Sequence, residues 1–188
     1  LVTFHGPVAL SSFTKYTIDF FEQVLFLGAR PLKLSNPAPS ESLRQPHPTR
    51  TISPGVARGR IVGGNLSIIC SLMGTPYEID TKGNILIIED VGEEPYRMDR
   101  MLNQLRLAGK LDDAAGIAVG ECTDCNSNGL NPSKVWDSSL GEVLDSYLAP
   151  LAKPGFYGLT FGHTSDQLTI PIGAEAEIDA GRHCITLL

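Results

Sequence analysis

The chain has 188 residues, enough for one good-sized domain or for one domain joined to a piece of another. Hydrophobic residues make up 42% and charged residues 19%, which allows a packed core and argues against wholesale disorder. The net charge of −6 without a basic stripe argues against a nucleic-acid partner. No apolar run approaches the roughly 20 residues that cross a bilayer.

The first segment, residues 1–4, is predicted to be a short strand closed by His5-Gly6-Pro7. It has neither an initiator Met nor the features of a signal peptide, so we expect a fragment entered within a strand. A broad apolar face predicts a helix over 13–27, with Gly28 at its end. Residues 30–54 then hold six of the 13 prolines and are predicted to be a linker.

From residue 55 onwards, apolar strands alternate with amphipathic helices, a pattern typical of an α/β domain. Strands are predicted over 59–63, 85–88, 114–120 and 156–159, and helices over 66–73, 95–108 and 140–148. Three closing strands, over 168–171, 174–179 and 183–187, predict a second small sheet or a half-barrel.

Two polar residues stand at the carboxyl ends of predicted strands. Glu89 follows one apolar strand and His163 follows another, and ligand sites of open α/β sheets lie at that edge. A His that acts as a general base needs a carboxylate to fix its tautomer, which makes Glu89 a sensible partner for His163. The alternative is structural, because a strand-end acid often caps a helix and a Gly-His-Thr segment is often only a turn.

Four stretches resemble the LD-carboxypeptidase family of serine peptidases, which includes the microcin C self-immunity proteins. In chain order they are LVTFHGP at 1–7, RGRIVGGNLS at 58–67, IIEDVGEEPYRMDRML at 87–102 and YGLTFGHT at 157–164. The resemblance implies an enzyme that cleaves the bond before a terminal D-amino acid. The family's best-known substrate is the murein tetrapeptide, from which D-alanine is released in cell-wall recycling.

The resemblance also assigns roles to single residues. His163 matches the general base of a Ser-His-Glu triad and Glu89 matches its orienting acid, whereas Asp90 matches no triad member. Asn65 lies in a Gly-Gly-Asn turn that faces the family's cleft, which implies substrate binding. No metal and no organic cofactor is implied.

The nucleophile is where the chain departs from the family pattern. The family serine stands in an N-terminal Gly-Tyr-Ser-Asp-like turn, and no such motif occurs here. Ser11, Ser12 and Ser53 are not credible replacements, and Ser67 lies in a predicted helix where its hydroxyl is expected to bond backwards to a carbonyl. We therefore expect the serine and the oxyanion hole in the missing N-terminal half, and no activity from this chain alone.

The fold implied by resemblance is a swivelling β/β/α-type C-terminal domain, preceded by a strand-helix remnant of a glutamine-amidotransferase-like α/β domain. Its boundaries are expected at 1–30 for the remnant, 31–54 for the linker and 55–188 for the C-terminal domain. The helix over 13–27 would have lost much of its sheet, so we expect an exposed apolar face and a homodimer. The open alternatives are an immunity-type peptidase that cleaves a peptidyl-nucleotide and a non-catalytic peptide-binding module.

The remaining candidates have structural interpretations. Cys122 and Cys125 form a C-x-x-C without the second pair that a structural zinc needs, and the following segment is loop-like rather than helical as in redox motifs. The low cysteine density favours a reduced, cytoplasmic protein. Three other histidines are predicted to be structural or solvated: His5, His47 and His183. The single tryptophan, Trp136, is predicted to pack as an anchor, with a place in a dimer surface as the alternative.

Overall fold

The structure is a computed structural model, and it describes residues 1–38, 47–126 and 139–188. Its strands are β1 (Thr3–His5), β2 (Leu32–Leu34), β3 (Arg50–Ser53), β4 (Val56–Asn65), β5 (Ile85–Glu89), β6 (Gly116–Gly120), β7 (Gly155–Leu159), β8 (Ile170–Ile172), β9 (Glu175–Asp179) and β10 (Cys184–Leu187). Its helices are α1 (Lys15–Leu25), α2 (Leu66–Leu72), α3 (Pro95–Leu107), α4 (Lys110–Asp113) and α5 (Leu140–Leu148), followed by a 3₁₀ turn over Ala149–Leu151.

Eight of these strands form one mixed sheet in the order β2-β10-β9-β4-β5-β6-β7-β3. The strands from β4 to β7 are mutually parallel, and the others join antiparallel. The long strand β4 connects the two parts, since its first half pairs with β9 and its second half pairs with β5. The carboxyl ends of the parallel strands therefore meet at one edge of the sheet.

The sheet separates two hydrophobic cores, and strand β5 contributes to both. Its side chains alternate, with Ile85 and Ile87 in one core and Leu86 and Ile88 in the other. Because successive side chains of a strand point to opposite faces, a strand covered on both faces is apolar throughout. Helices α2 to α5 cover the second core, whereas β9, β10 and Val24 of α1 contribute to the first.

Each of the four predicted helices begins and ends within two residues of a helix in the structure. Two strands were not predicted, because β2 and β3 lie within the proline-rich residues 30–54 and form the two edges of the main sheet. The closing strands were predicted to form a second small sheet or a half-barrel. The first of these alternatives is wrong for β9 and β10, which extend the main sheet through the first half of β4. Only β8 leaves it, pairing with β1 in a two-stranded sheet.

Trp136 lies outside the described residues, so its predicted packing is not addressed by the structure. Among the helices within the described ranges, none is both long enough and apolar enough to cross a membrane.

Candidate active site

Glu89 is the last residue of strand β5, at the carboxyl edge of the sheet. The four residues before it are all buried, and the Glu89 side chain itself is completely inaccessible to solvent. A buried carboxylate is costly unless hydrogen bonds or an opposite charge compensate for the lost hydration. The groups around Glu89 therefore determine what it can do.

His163 reaches Glu89 from a strand that is not its neighbour. Strand β7 ends at Leu159, and β6 lies between β7 and β5, so the segment that follows β7 must cross the end of β6. Glycines make this crossing possible. A Cβ on Gly120, at the end of β6, would lie 2.8 Å from the carbonyl oxygen of Phe161, and one on Gly162 would lie 2.7 Å from Glu89 Cδ. Gly162 also has φ +96°, in the left-handed region that favours glycine.

The crossing brings His163 Nδ1 to 3.0 Å from Glu89 Oε2. The carboxylate is fully buried, whereas 55% of the His163 side chain is exposed. A carboxylate that accepts from Nδ1–H leaves Nε2 with a free lone pair, which is the tautomer that a general base requires. The predicted pairing of these two residues is therefore seen as a direct contact. The backbone carbonyl of His163 also accepts a hydrogen bond of 2.6 Å from Thr123 Oγ1.

His5 is a member of the site that the sequence did not reveal. Its Nε2 lies 3.7 Å from Glu89 Oε1, and its ring packs edge-on against Phe161. Burial lowers the pKa of His5 below 6.5, the Glu89 carboxylate opposes this, and His163 lowers it further. Within the described residues, Glu89 Oε1 has no hydrogen-bond partner, so His5 is the nearest basic group on that side. The pairing of β1 with β8 brings His5 close to Glu89, and no local sequence pattern predicts this position.

Asn65 stands beside Glu89, because the two residues are partners in the parallel pairing of β4 and β5. Its Oδ1 accepts from the backbone N–H of Ile68 and caps helix α2, while its Nδ2 donates to Asp90 Oδ1 at 3.0 Å. One hydrogen of Nδ2 is used in this way, and an amide nitrogen carries two.

Asp90 anchors the start of helix α2 rather than taking part in the Glu89–His163 contact. Its Oδ2 accepts from the backbone N–H of Ser67 at 2.9 Å and from Ser67 Oγ at 2.6 Å. The expectation that the Ser67 hydroxyl bonds backwards to a helix carbonyl was wrong, because Ser67 stands in the first turn of α2 and its hydroxyl donates to the carboxylate of Asp90, the residue after β5. This serine is thus occupied by a structural contact.

Cys122 and Cys125 are buried free thiols in a turn next to the site. Thr123, one of the two residues between them, links His163 to the segment after Glu89, since its hydroxyl donates to the His163 carbonyl and its own carbonyl accepts from Gly92 N–H. Within the residues that the structure describes, no group of three or more His, Cys, Asp or Glu side chains is arranged to hold a metal ion.

Comparison with known proteins identifies the family. Residues 58–178 match the family described as the LD-carboxypeptidase C-terminal domain. The chain is also 40% identical over 189 residues to a probable murein peptide carboxypeptidase of Bacillus subtilis, a match that covers 95% of the chain and 53% of that protein. The chain therefore belongs to the LD-carboxypeptidase family.

Solved structures share the fold along nearly the whole chain. The muramoyltetrapeptide carboxypeptidase of Oxalobacter formigenes is 28% identical with a TM-score of 0.76, covering 99% of this chain and 60% of that one. The microcin C7 self-immunity protein MccF, solved in complex with aspartyl sulfamoyl adenosine, is 24% identical with a TM-score of 0.75, covering 100% of this chain and 61% of that one. The mixed α/β fold expected from the resemblance is confirmed. The chain spans little more than half the length of these relatives.

Proposed function

We propose that this chain carries the base half of a serine-type LD-carboxypeptidase. His163 is the general base, Glu89 orients it, and the nucleophilic serine and oxyanion hole come from a part of the whole protein that precedes residue 1. The contact of His163 Nδ1 with the buried Glu89 carboxylate is the observation that carries this proposal. Its substrate would be a murein tetrapeptide, in keeping with the name of the Bacillus subtilis relative.

In this mechanism Nε2 of His163 removes the proton of the serine hydroxyl as the oxygen attacks the peptide carbonyl carbon. The resulting imidazolium is stabilised by Glu89, whose buried carboxylate is poorly screened by water. His163 then gives this proton to the amine of the departing D-alanine, and a second cycle with water releases the acyl group. No step calls for a metal ion or an organic cofactor.

Asn65 is proposed to contact the substrate with the second hydrogen of its Nδ2. It lies at the same sheet edge as Glu89, and its first Nδ2 hydrogen is held by Asp90. Because Asp90 already fixes the Asn65 side chain, this side chain loses little further entropy when a carboxylate or carbonyl of the peptide binds to it. We further place the protein in the cytoplasm, where its four free thiols would stay reduced.

Immunity-type cleavage of a peptidyl-nucleotide is the second candidate function. It is favoured by the fold shared with MccF, whose solved complex contains aspartyl sulfamoyl adenosine. Both reactions would use the same His163 and Glu89, so the site cannot separate them. Parallel assays of the full-length protein on a murein tetrapeptide and on an aminoacyl nucleotide would do so.

The test of the base pair is the full-length protein with His163→Ala or Glu89→Gln. Each change is expected to lower kcat by roughly 10⁴-fold, because the first removes the base and the second removes the group that fixes its tautomer. Steady-state release of D-alanine measures this. His183→Gln is the matched control, since His183 bonds to Thr49 and Thr51, away from Glu89, and should leave kcat unchanged. Activity within tenfold of the unaltered enzyme in either variant would refute the assignment.

A second expectation concerns the 188-residue chain by itself. His and Glu without a nucleophile cannot form an acyl-enzyme, because the members of such a triad act as a unit. The purified chain is expected to release no D-alanine above the rate of its His163→Ala variant. A non-catalytic peptide-binding module would instead show a full-length protein without turnover that still binds the peptide.

A further inference from the structure

A second cluster of titratable groups lies outside the site just described. The imidazole of His47 stands between two carboxylates, with Nδ1 2.5 Å from Glu121 Oε1 and Nε2 3.0 Å from Asp166 Oδ2. Only 1% of the His47 side chain is exposed, compared with 2% for Asp166 and 13% for Glu121. The sequence predicted His47 to be a structural or solvated linker residue. The structure places it in the interior.

The chemistry of this cluster makes it rigid. Each of its two contacts joins a ring nitrogen to a carboxylate oxygen, and a hydrogen bond at each requires one proton. Two protons are therefore shared by the three groups, which form either an imidazolium between two carboxylates or a neutral ring beside one protonated carboxyl. Removing His47 would leave two nearly buried acids without their shared donor, which is strongly unfavourable. The cluster therefore fixes the relative positions of its three backbone segments.

One of these segments carries His163. Asp166 comes three residues after it, Glu121 directly follows strand β6, and His47 belongs to residues 30–54. The His47 ring thus ties the linker to the segment that crosses towards Glu89.

Asn36, at the other end of the linker, binds the same segment on the opposite side of His163. Its Nδ2 donates to the carbonyl oxygens of Gly158 at 2.7 Å and of His47 at 3.3 Å, and its Oδ1 accepts from Thr160 N–H at 2.9 Å. The Tyr16 hydroxyl adds a third contact, since it lies 2.9 Å from Thr160 Oγ1. Burial raises the pKa of Tyr16, and the charges of Asp166 and Glu121 add to this, so the hydroxyl stays neutral. Residues 158–166 are therefore held on both sides of His163.

We propose that His47 and Asn36 are positioning residues that hold segment 158–166 so that His163 Nδ1 faces Glu89. His163 needs such support, because its side chain is more than half exposed and Glu89 is its one side-chain partner among the described residues. Its orientation thus follows from where its backbone is held. A displacement of about 1 Å in such a group can cost roughly 100-fold in rate. The consequence for catalysis rests on the proposed function, whereas the structural effect does not.

The structural effect can be measured on the 188-residue chain by NMR. Long-range ¹H–¹⁵N correlation spectra report which ring nitrogen of His163 carries the proton. In the unaltered chain we expect Nδ1–H to dominate, and in His47→Leu we expect a mixture of tautomers. His183→Gln is the matched control, because it removes another ring with two partners, Thr49 and Thr51, neither of which belongs to segment 158–166. Unchanged His163 signals in His47→Leu would overturn the proposal.

Two further variants keep the proposal testable if His47→Leu fails to fold. Glu121→Gln keeps an acceptor for Nδ1 and should retain the His163 tautomer. Asn36→Ala leaves the buried acids paired and should produce the tautomer mixture even if His47→Leu does not fold. A native tautomer in folded Asn36→Ala would count against the proposal.

In the full-length enzyme, Asn36→Ala and His47→Leu should lower kcat about ten- to hundredfold with little change in KM, because they misplace the base and not the substrate. An equal loss through KM alone would contradict positioning. If His163→Ala itself proved fully active, the proposed function would fail, while the tautomer measurement would still decide the role of His47.

Discussion

His5 and His163 approach the same buried carboxylate, and this contact has a measurable electrostatic consequence at His5. Burial lowers the pKa of His5 and the charge of Glu89 raises it, so Glu89→Gln is expected to lower that pKa further below 6.5. An NMR titration of the His5 Cε1–H signal in the unaltered chain and in the variant measures the change. Because folding lowers the pKa of this group, its contribution to stability is present above pH 6.5 and is lost as the pH falls.

Glu121→Gln is the control for the His5 titration. It removes a carboxylate that contacts His47 and not His5, so the His5 pKa should stay where it is in the unaltered chain. A Glu89→Gln variant in which the His5 pKa stays unchanged or rises would contradict the expected attraction across the contact at 3.7 Å.

At the scale of single residues, the sequence predicted the contact that depends on strand ends and missed the contacts that depend on the folded chain. Glu89 and His163 could be paired because both follow apolar strands, and parallel strands bring their carboxyl ends together. His5 and His47 reach carboxylates 84 and 74 residues away along the chain, by routes that only the folded sheet defines. Contacts between residues so far apart cannot be inferred from local spacing in the sequence.

At the scale of elements, Asp90 connects strand β5 to helix α2 and should contribute strongly to stability. It accepts from Ser67 N–H, Ser67 Oγ, Asn65 Nδ2 and its neighbour Val91 N–H. Asp90 is itself buried, so Asp90→Ala would leave these partly buried donors without their shared acceptor, and hydrogen bonds to charged groups are the stronger ones. We expect the free energy of unfolding to fall by about 3 kcal/mol. Urea denaturation followed by circular dichroism measures this.

Asp80→Ala provides the comparison for Asp90→Ala. Asp80 is exposed and caps a turn through Lys82 N–H at 3.1 Å, so its loss should cost less than about 1 kcal/mol. Equal effects of the two substitutions would mean that the Asp90 network adds little.

Helices and buried strands were predictable because their periodicity and end signals are local. Helix α3 begins at Pro95, and helix α5 begins with a capping box between Ser139 and Glu142. Strands β2 and β3 lack such signals, since each is short and stands among prolines at an edge of the sheet. Their pairing with β10 and β7 supplies the hydrogen bonds that make them strands.

At the scale of the whole molecule, helix α1 divides its apolar residues between the core and the surface. Tyr16, Phe20 and Val24 pack against the first core. Phe13, Phe21 and Phe26 form an aromatic patch, with Phe21 in edge-on contact with both other rings, and Phe13 and Phe26 are exposed. The apolar face predicted over 13–27 is thus confirmed to be partly uncovered, whereas its effect on association stays a prediction.

An exposed patch of this kind favours association, because its apolar surface remains in contact with water in the monomer. We expect the 188-residue chain to form dimers at micromolar concentration, since closed two-fold symmetry is the commonest way to cover such a surface. The double substitution Phe13→Ser and Phe26→Ser should shift the chain to monomers, as measured by light scattering over a concentration series. Leu107→Ser, on helix α3, is the control, because it removes an exposed apolar side chain that lies outside the aromatic patch. A monomer throughout the series in the unaltered chain would contradict the prediction, and equal monomerisation by Leu107→Ser would assign the interface to a different surface.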